Sequence, residues 1–129
     1  MTDRVVDAPV IAAITFAEPE IDEADRLIGG ATLFAPELLP YELANICWKK
    51  TRLHPELAGI FVPAIETMLD ARVLLVAAPP AEIIALALET GLTAYDASYL
   101  SIAIALRAPL VTFDEQLRRA AQAQGLLAV

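Results

Sequence analysis

Arg4-Val5-Val6-Asp7-Ala8-Pro9 compresses a strand, its end and the start of a helix into one short stretch. Val5 and Val6 form a continuous apolar run, the pattern of a strand buried on both faces. Asp7 ends that run with a charge. Pro9 has no N–H to donate, which suits the first turn of a helix, and the apolar positions after it carry the helix to about Phe16. A buried strand that stops at an acid and turns into a helix is the unit of a parallel sheet covered by helices.

The alternation continues along the chain. Ile21, Ala24, Leu27 and Ile28 share one face of a second helix, which Gly29-Gly30 stops. Thr32 to Ala35 reads as a second strand, and Pro36 predicts the start of a third helix running to about Thr51. Pro55 opens another helical segment, which Pro63 is expected to break or kink before Ile65 to Ala71. Val73-Leu74-Leu75-Val76 is a third strand closed by Pro79-Pro80, followed by a helix from Ala81 to Glu89 that ends at Gly91. Asp96 to Arg107 is a long helix and Leu110-Val111-Thr112-Phe113 a fourth strand. Asp114 to Gln124 is a last helix, with a candidate short strand at Leu126 to Val129. The expectation is one α/β domain over residues 1–129 with a central parallel sheet of four or five strands and right-handed crossovers. In such sheets ligands bind beyond the carboxyl ends of the strands, where strand order reverses.

Composition narrows the function. The chain has 129 residues, 17 acidic and 9 basic, for a net charge of -8. A protein that coats nucleic acid carries the opposite sign, because phosphates are met by Lys and Arg. A metal-dependent nuclease is compatible with the acidity, since a cation neutralises its acidic cluster locally. Lys49, Lys50, Arg52, Arg107, Arg118 and Arg119 could meet RNA or simply solvate helix surfaces. Hydrophobic residues make up 57%, above the usual 45–50% or so, which implies a self-association surface, a partner groove or both. Cys47 is alone, so no internal disulfide can form; it reads as a small core residue in a reducing compartment. The apolar stretch from Val5 to Ala17 is interrupted by Asp7 and Pro9 and is too short to span a bilayer. No membrane association and a cytoplasmic location are therefore expected.

Four acids carry the chemistry. Asp7 follows the first strand, Asp114 follows the fourth, and Asp96 begins the helix that leads into it. Each could be an ordinary helix cap. Glu42 cannot, because it lies inside the third helix, sharing a face with Leu38, Asn45 and Lys49. Carboxylates gathered at one sheet edge repel one another and hold protons at neutral pH unless a hard cation intervenes. Mg²⁺ and Mn²⁺ prefer such oxygen donors, and a site of this kind can activate water against a phosphoryl group without a histidine base. His54, the lone histidine, precedes Pro55 in a turn-like stretch and reads as an exposed loop residue. There is no glycine-rich phosphate loop, no Cys/His metal spacing and no serine nucleophile elbow.

The motifs around these acids resemble those of PIN-domain ribonucleases of the VapC type, the toxins of toxin–antitoxin pairs. They are Val5-Val6-Asp7-Ala8, the run from Ala35 to Asn45 that contains Pro40-Tyr41-Glu42-Leu43-Ala44-Asn45, Leu92-Thr93-Ala94-Tyr95-Asp96-Ala97-Ser98-Tyr99, and Pro109-Leu110-Val111-Thr112-Phe113-Asp114. The resemblance implies a three-layer α/β/α sandwich in which Asp7, Glu42, Asp96 and Asp114 bind Mg²⁺ or Mn²⁺. It implies that Asn45 supports Glu42 and that Thr112 holds a water or ligand beside the last acid. It further implies cleavage of RNA, a VapB-type antitoxin that wraps an apolar groove, and a homodimer. One position departs from the pattern: two residues after the first Asp, where the family usually carries Ser, Asn or Thr, stands Pro9. A PIN-like module with weak or lost catalysis that acts by binding a partner is therefore the alternative reading. A signalling receiver domain fits the length but not the residues. Asp7 has no adjacent acid, Val76-Ala77-Ala78 follows the third strand, and no lysine follows Lys50.

Overall fold

The computed structural model describes residues 2–129. In chain order its elements are β1 (Asp3–Val6), α1 (Ala8–Thr15), α2 (Ile21–Ile28), β2 (Thr32–Pro36), α3 (Leu39–Leu53), a 3₁₀ turn (Pro55–Leu57), α4 (Ala58–Arg72), β3 (Val73–Val76), α5 (Pro80–Thr90), α6 (Ala94–Leu106), β4 (Leu110–Val111) and α7 (Glu115–Ala123). The strands pair in the order β3-β2-β1-β4, and every pairing is parallel. The chain therefore steps outward from β1 to β3 and then crosses back over the sheet to β4, on the far side of β1. Right-handed crossovers in opposite directions place their helices on opposite faces. The helices α1, α2, α3 and α4 accordingly pack among themselves on one side, while α6 lies on β1 and β2 together with α5 and α7. The result is an α/β/α sandwich.

The core lies where the two central strands meet both helical layers. Val5, Val6, Leu33, Ala35, Leu110 and Val111 are buried from the sheet, and Ile11, Leu39, Leu43, Leu100 and Leu117 cover them. Leu74 and Leu75 of the edge strand β3 remain largely exposed.

Several sequence expectations are corrected. Pro36 does not open α3. It closes β2 opposite Val76, and the helix begins at Leu39 with Pro40 in its first turn. A strand end needs no N–H from its last residue, so Pro36 is tolerated there. Pro63 does not break α4, which runs through it; the residue is exposed, and its ring projects toward solvent. The strand Leu110–Phe113 is cut to Leu110–Val111, because beyond Val111 the backbone turns to local bonds: the Asp114 N–H donates to Thr112 Oγ1 at 3.1 Å. The candidate last strand is a single parallel bridge between Leu110 and Leu127, so the sheet has four strands. Asp96 does not start α6. Thr93 caps that helix, and its hydroxyl accepts from the Asp96 N–H at 3.1 Å.

Candidate active site

Strand order reverses between β1 and β4, so the crevice of this sheet opens at their carboxyl ends. Asp7 follows β1 directly, and its N–H donates to the Val111 carbonyl at the end of β4, 3.4 Å away. Asp114 follows three residues after Val111. Both acids are helix caps as well as crevice residues. Asp7 Oδ1 accepts from the Val10 N–H at 3.2 Å at the start of α1, and Asp114 Oδ2 accepts from the Leu117 N–H at 2.9 Å at the start of α7. Capping and site membership are not rivals here, because a carboxylate oxygen has lone pairs left after accepting one bond.

Thr112 ties the two acids together. Its hydroxyl donates to Asp7 Oδ2 at 2.5 Å and accepts from the Asp114 N–H at 3.1 Å. Thr112 is fully buried, so neither bond competes with water. Glu42 reaches the crevice from the first turn of α3, and Asp96 from the first turn of α6. The Tyr99 hydroxyl, one turn beyond Asp96, donates to Glu42 Oε1 at 2.5 Å across 57 residues of sequence. Tyr99 is missing from the sequence-derived set. Its i,i+3 spacing from Asp96, which puts both on one helix face, is the signal that points to it. Asn45 lies one turn beyond Glu42 on the wall of the adjoining groove, while the hydrogen bond that Glu42 accepts comes from Tyr99.

The electrostatics follow from this packing. Burial raises the Asp7 carboxyl, hydrogen bonds from Thr112 and Val10 pull it down, and the charges of Glu42 and Asp96 raise it again; the balance pushes it from 3.8 up to about 7. Glu42 is raised by burial, lowered by the Tyr99 bond and raised by Asp96. Asp96 is raised by burial and by the charge of Asp114. The four acids thus form a chain of mutually repelling groups around one crevice. Buried like charges shift in this way when a counter-charge is missing.

The donor set is all oxygen, which suits a hard divalent cation and not zinc. Among the described residues no three His, Cys, Asp or Glu side chains are closed to the spacing of a metal cage. Thr112 braces Asp7, and Tyr99 braces Glu42. His54 lies just beyond the end of α3, exposed, with Nδ1 3.5 Å from Glu56. Cys47 is buried and free.

Tyr99→Phe keeps the buried ring and removes only the donor to Glu42. The expected loss is about 1 kcal/mol of stability, since water can reach the half-exposed carboxylate in its place. Urea unfolding of the two proteins measures it, and identical midpoints would show that the bond contributes nothing.

The fold agrees with comparisons to known proteins. The PIN domain family profile matches residues 4–123. The chain is 34% identical over 118 residues to Ribonuclease VapC3 of Pyrobaculum aerophilum, spanning 88% of this chain and 90% of that protein. The crystal structure of PAE2754 from Pyrobaculum aerophilum superposes with a TM-score of 0.76 at 29% identity, covering 92% of this chain and 84% of that one. With its motifs, its sheet order and these relatives in agreement, the chain belongs to the PIN-domain family.

Proposed function

We propose that this protein is a divalent-metal-dependent endoribonuclease that hydrolyses RNA phosphodiester bonds, and that it is the toxin of a VapBC-type toxin–antitoxin pair. One observation carries the reading. Asp7, Glu42, Asp96 and Asp114, drawn from four separate stretches of the chain, act on one another at the point where strand order reverses. Asp7, Asp96 and Asp114 would hold Mg²⁺ or Mn²⁺, with Glu42 bound directly or through water. When bound, the ion would supply an activated water and a positive charge beside the phosphoryl oxygens.

The chain's own residues do the rest. Thr112 fixes the Asp7 carboxylate in one orientation and couples it to the Asp114 backbone. Tyr99 holds Glu42 from behind. A groove of about 500 Å³, lined by residues that include Pro9, Tyr41, Glu42, Asn45 and Tyr95, adjoins the acids and can seat a substrate strand. Its lining includes one of the four acids, Glu42, and the amide of Asn45. Other parts of the proposal rest on other features. The exposed Leu74 and Leu75 on the sheet edge favour a homodimer or an antitoxin contact, since open apolar edges are otherwise liabilities. The free, buried Cys47 fits a reducing cytoplasm. Among the described residues no helix is long and apolar enough to cross a membrane. We take residues 1–129 as one domain.

The test is cleavage of labelled cellular RNA by purified protein with Mg²⁺ or Mn²⁺ and with chelator. Asp96→Asn should cut the rate at least about 100-fold, because several kcal/mol of charge stabilisation depends on the ligand set. Undiminished cleavage in chelator would refute metal dependence. A second reading, a PIN-like module that binds a partner without catalysis, is favoured by Pro9, which lines the groove and offers neither a polar side chain nor an N–H. It requires a chain that folds and binds its partner but cleaves no RNA with either metal.

A further inference from the structure

The chain has 9 lysines and arginines against a net charge of -8, and most of them are already engaged. Arg4 donates to the Leu27 carbonyl and Arg118 to the Thr112 carbonyl. Arg26, Lys50 and Arg119 pair with Glu23, Glu18 and Glu115. Arg52 lies over the Trp48 ring, 4.8 Å from its centre. That leaves Lys49, Arg72 and Arg107, which are exposed and make no ion pair among the described residues. Arg72 ends α4 just before β3, and Arg107 caps α6 shortly before β4, so both stand at the amino edge of the sheet, away from the acids. Lys49 alone is uncommitted and lies on α3, the helix that carries Glu42.

Its place on α3 decides what it can reach. An α-helix turns about 100° and rises about 1.5 Å per residue. Seven residues on from Glu42, Lys49 stands within about 20° of the same line and about 10 Å further along the axis. Asn45 and Ile46, on the turn between them, form part of the groove wall, so the groove leads from the acids toward Lys49. The Cα–Cβ bonds of a helix tilt toward its N-terminus, so a long side chain here covers the turn before it, on the acid side. Arg52, ten residues on from Glu42, is turned about 80° off that line. We infer that Lys49 binds a phosphate flanking the scissile one, on the α3 side of the groove, and supplies the salt-dependent part of substrate affinity there. The inference rests on the ribonuclease reading and deepens it. The acid site answers at most for the phosphate being cut, whereas a substrate strand carries a charge at every nucleotide, and an acidic chain repels the rest. An ammonium is a compact point charge on a flexible stem, which suits a phosphate oxygen. Lys49 has no carboxylate to give up when a phosphate arrives.

The experiment is steady-state cleavage of a short labelled RNA at fixed Mn²⁺ across a range of KCl concentrations. The proteins compared are wild type, Lys49→Gln, Lys49→Arg and Arg72→Gln, the last removing the same charge at the far edge of the sheet. Lys49→Gln should flatten the slope of log kcat/KM against log salt by about 0.7, the contribution of one phosphate contact to a single strand. Its KM should rise about fivefold at roughly 0.1 M salt with kcat nearly unchanged, because a contact to a flanking phosphate is made equally before and during the reaction. Lys49→Arg should restore both, and Arg72→Gln should match wild type. The slope does not depend on how much of a preparation is folded, so a merely structural role would leave it where it is. An unchanged slope in Lys49→Gln, with wild type active, overturns the inference and leaves the ribonuclease reading standing. An equal flattening in Arg72→Gln does the same, since the effect would then belong to net charge. If Lys49→Gln alters only inhibition by an added partner protein, Lys49 is a protein-docking residue and the inference falls. If wild type cleaves nothing, the ribonuclease reading fails by itself. Fluorescence anisotropy of labelled oligouridine then decides the Lys49 claim: weaker and less salt-dependent binding by Lys49→Gln supports it, and equal binding, or none by either protein, overturns it.

Discussion

Asp7→Asn is expected to stabilise the metal-free protein above pH 7 while abolishing its activity. The Asp7 carboxyl is almost wholly buried and stands at about 7, against 3.8 in the unfolded chain. Between those two values the folded state binds a proton that the unfolded state has lost, so stability falls as pH rises through that window. Below the window the carboxyl is neutral in both states and costs nothing. Above it the folded state carries the full cost of a buried, repelled charge. A rise from 3.8 to about 7 corresponds to roughly 4 kcal/mol at about 1.4 kcal/mol per pH unit. Asparagine has the same shape without the charge. Its carbonyl can still accept from Val10 N–H and its amide can face Thr112 Oγ1, although the Thr112 hydroxyl then loses its acceptor. That lost bond returns about 1 kcal/mol or more. The net expectation is a gain of about 1–3 kcal/mol at pH 8 that turns into a loss of about 1 kcal/mol near pH 4, where only the missing Thr112 bond remains, measured by urea unfolding of both proteins at the two pH values. Equal stability at pH 8 would show that Asp7 carries no such strain. Cleavage by the variant should fall by about a thousandfold, because the proposed ligand held by Thr112 and Val10 has lost its charge.

A cation binding to the wild-type site at pH 6 should release close to one proton. At that pH an Asp7 carboxyl with a value of about 7 is mostly protonated, and a carboxylate must ionise to act as a ligand. Apparent affinity for Mn²⁺ should therefore rise by about tenfold per pH unit below 7 and level off above it. The raised Glu42 and Asp96 carboxyls add to the slope at its acid end. Isothermal titration in two buffers of different ionisation enthalpy counts the protons directly. In Asp7→Asn the Asp7 share of the release disappears. An affinity independent of pH between 5.5 and 7 would mean that the ion displaces no proton from Asp7, which then lies outside its ligand set.

Much of this architecture is legible in the chain, because the residues that define it act locally. Val5-Val6 before Asp7, and Leu110-Val111 before Thr112, give buried strands whose ends mark the crevice. Gly91 ends α5 in the left-handed conformation that favours glycine. Misplaced boundaries have equally local causes. Pro36 and Pro63 were both expected to act as helix punctuation, yet a strand end tolerates the first and a solvent-facing helix surface the second. The shortened β4 reflects Thr112, whose hydroxyl engages Asp7 and Asp114 while the backbone turns into the loop before α7.

The site itself is only partly legible. Asp7, Asp96 and Asp114 look like ordinary caps in the sequence, and two of them are caps. Whether they also meet at one crevice depends on which strands become neighbours, and no local pattern specifies that β4 returns beside β1. Glu42 has no cap role, so periodicity alone leaves it indistinguishable from a solvated helix residue. What distinguishes it is Tyr99, a partner 57 positions away in sequence. The same holds for the groove: Tyr41 and Tyr95 border one cavity only because α3 and α6 bring their first turns to the same end of the sheet.

Whether the four acids share one ion is tested most directly by diffraction from crystals grown with Mn²⁺, measured at the manganese absorption edge. The expected result is anomalous density between β1 and β4, bonded to the Asp7, Asp96 and Asp114 carboxylates, with Glu42 bound directly or through a water. Saturating Mn²⁺ with no density in that crevice, or density held by other residues while the four carboxylates stay apart, would contradict it.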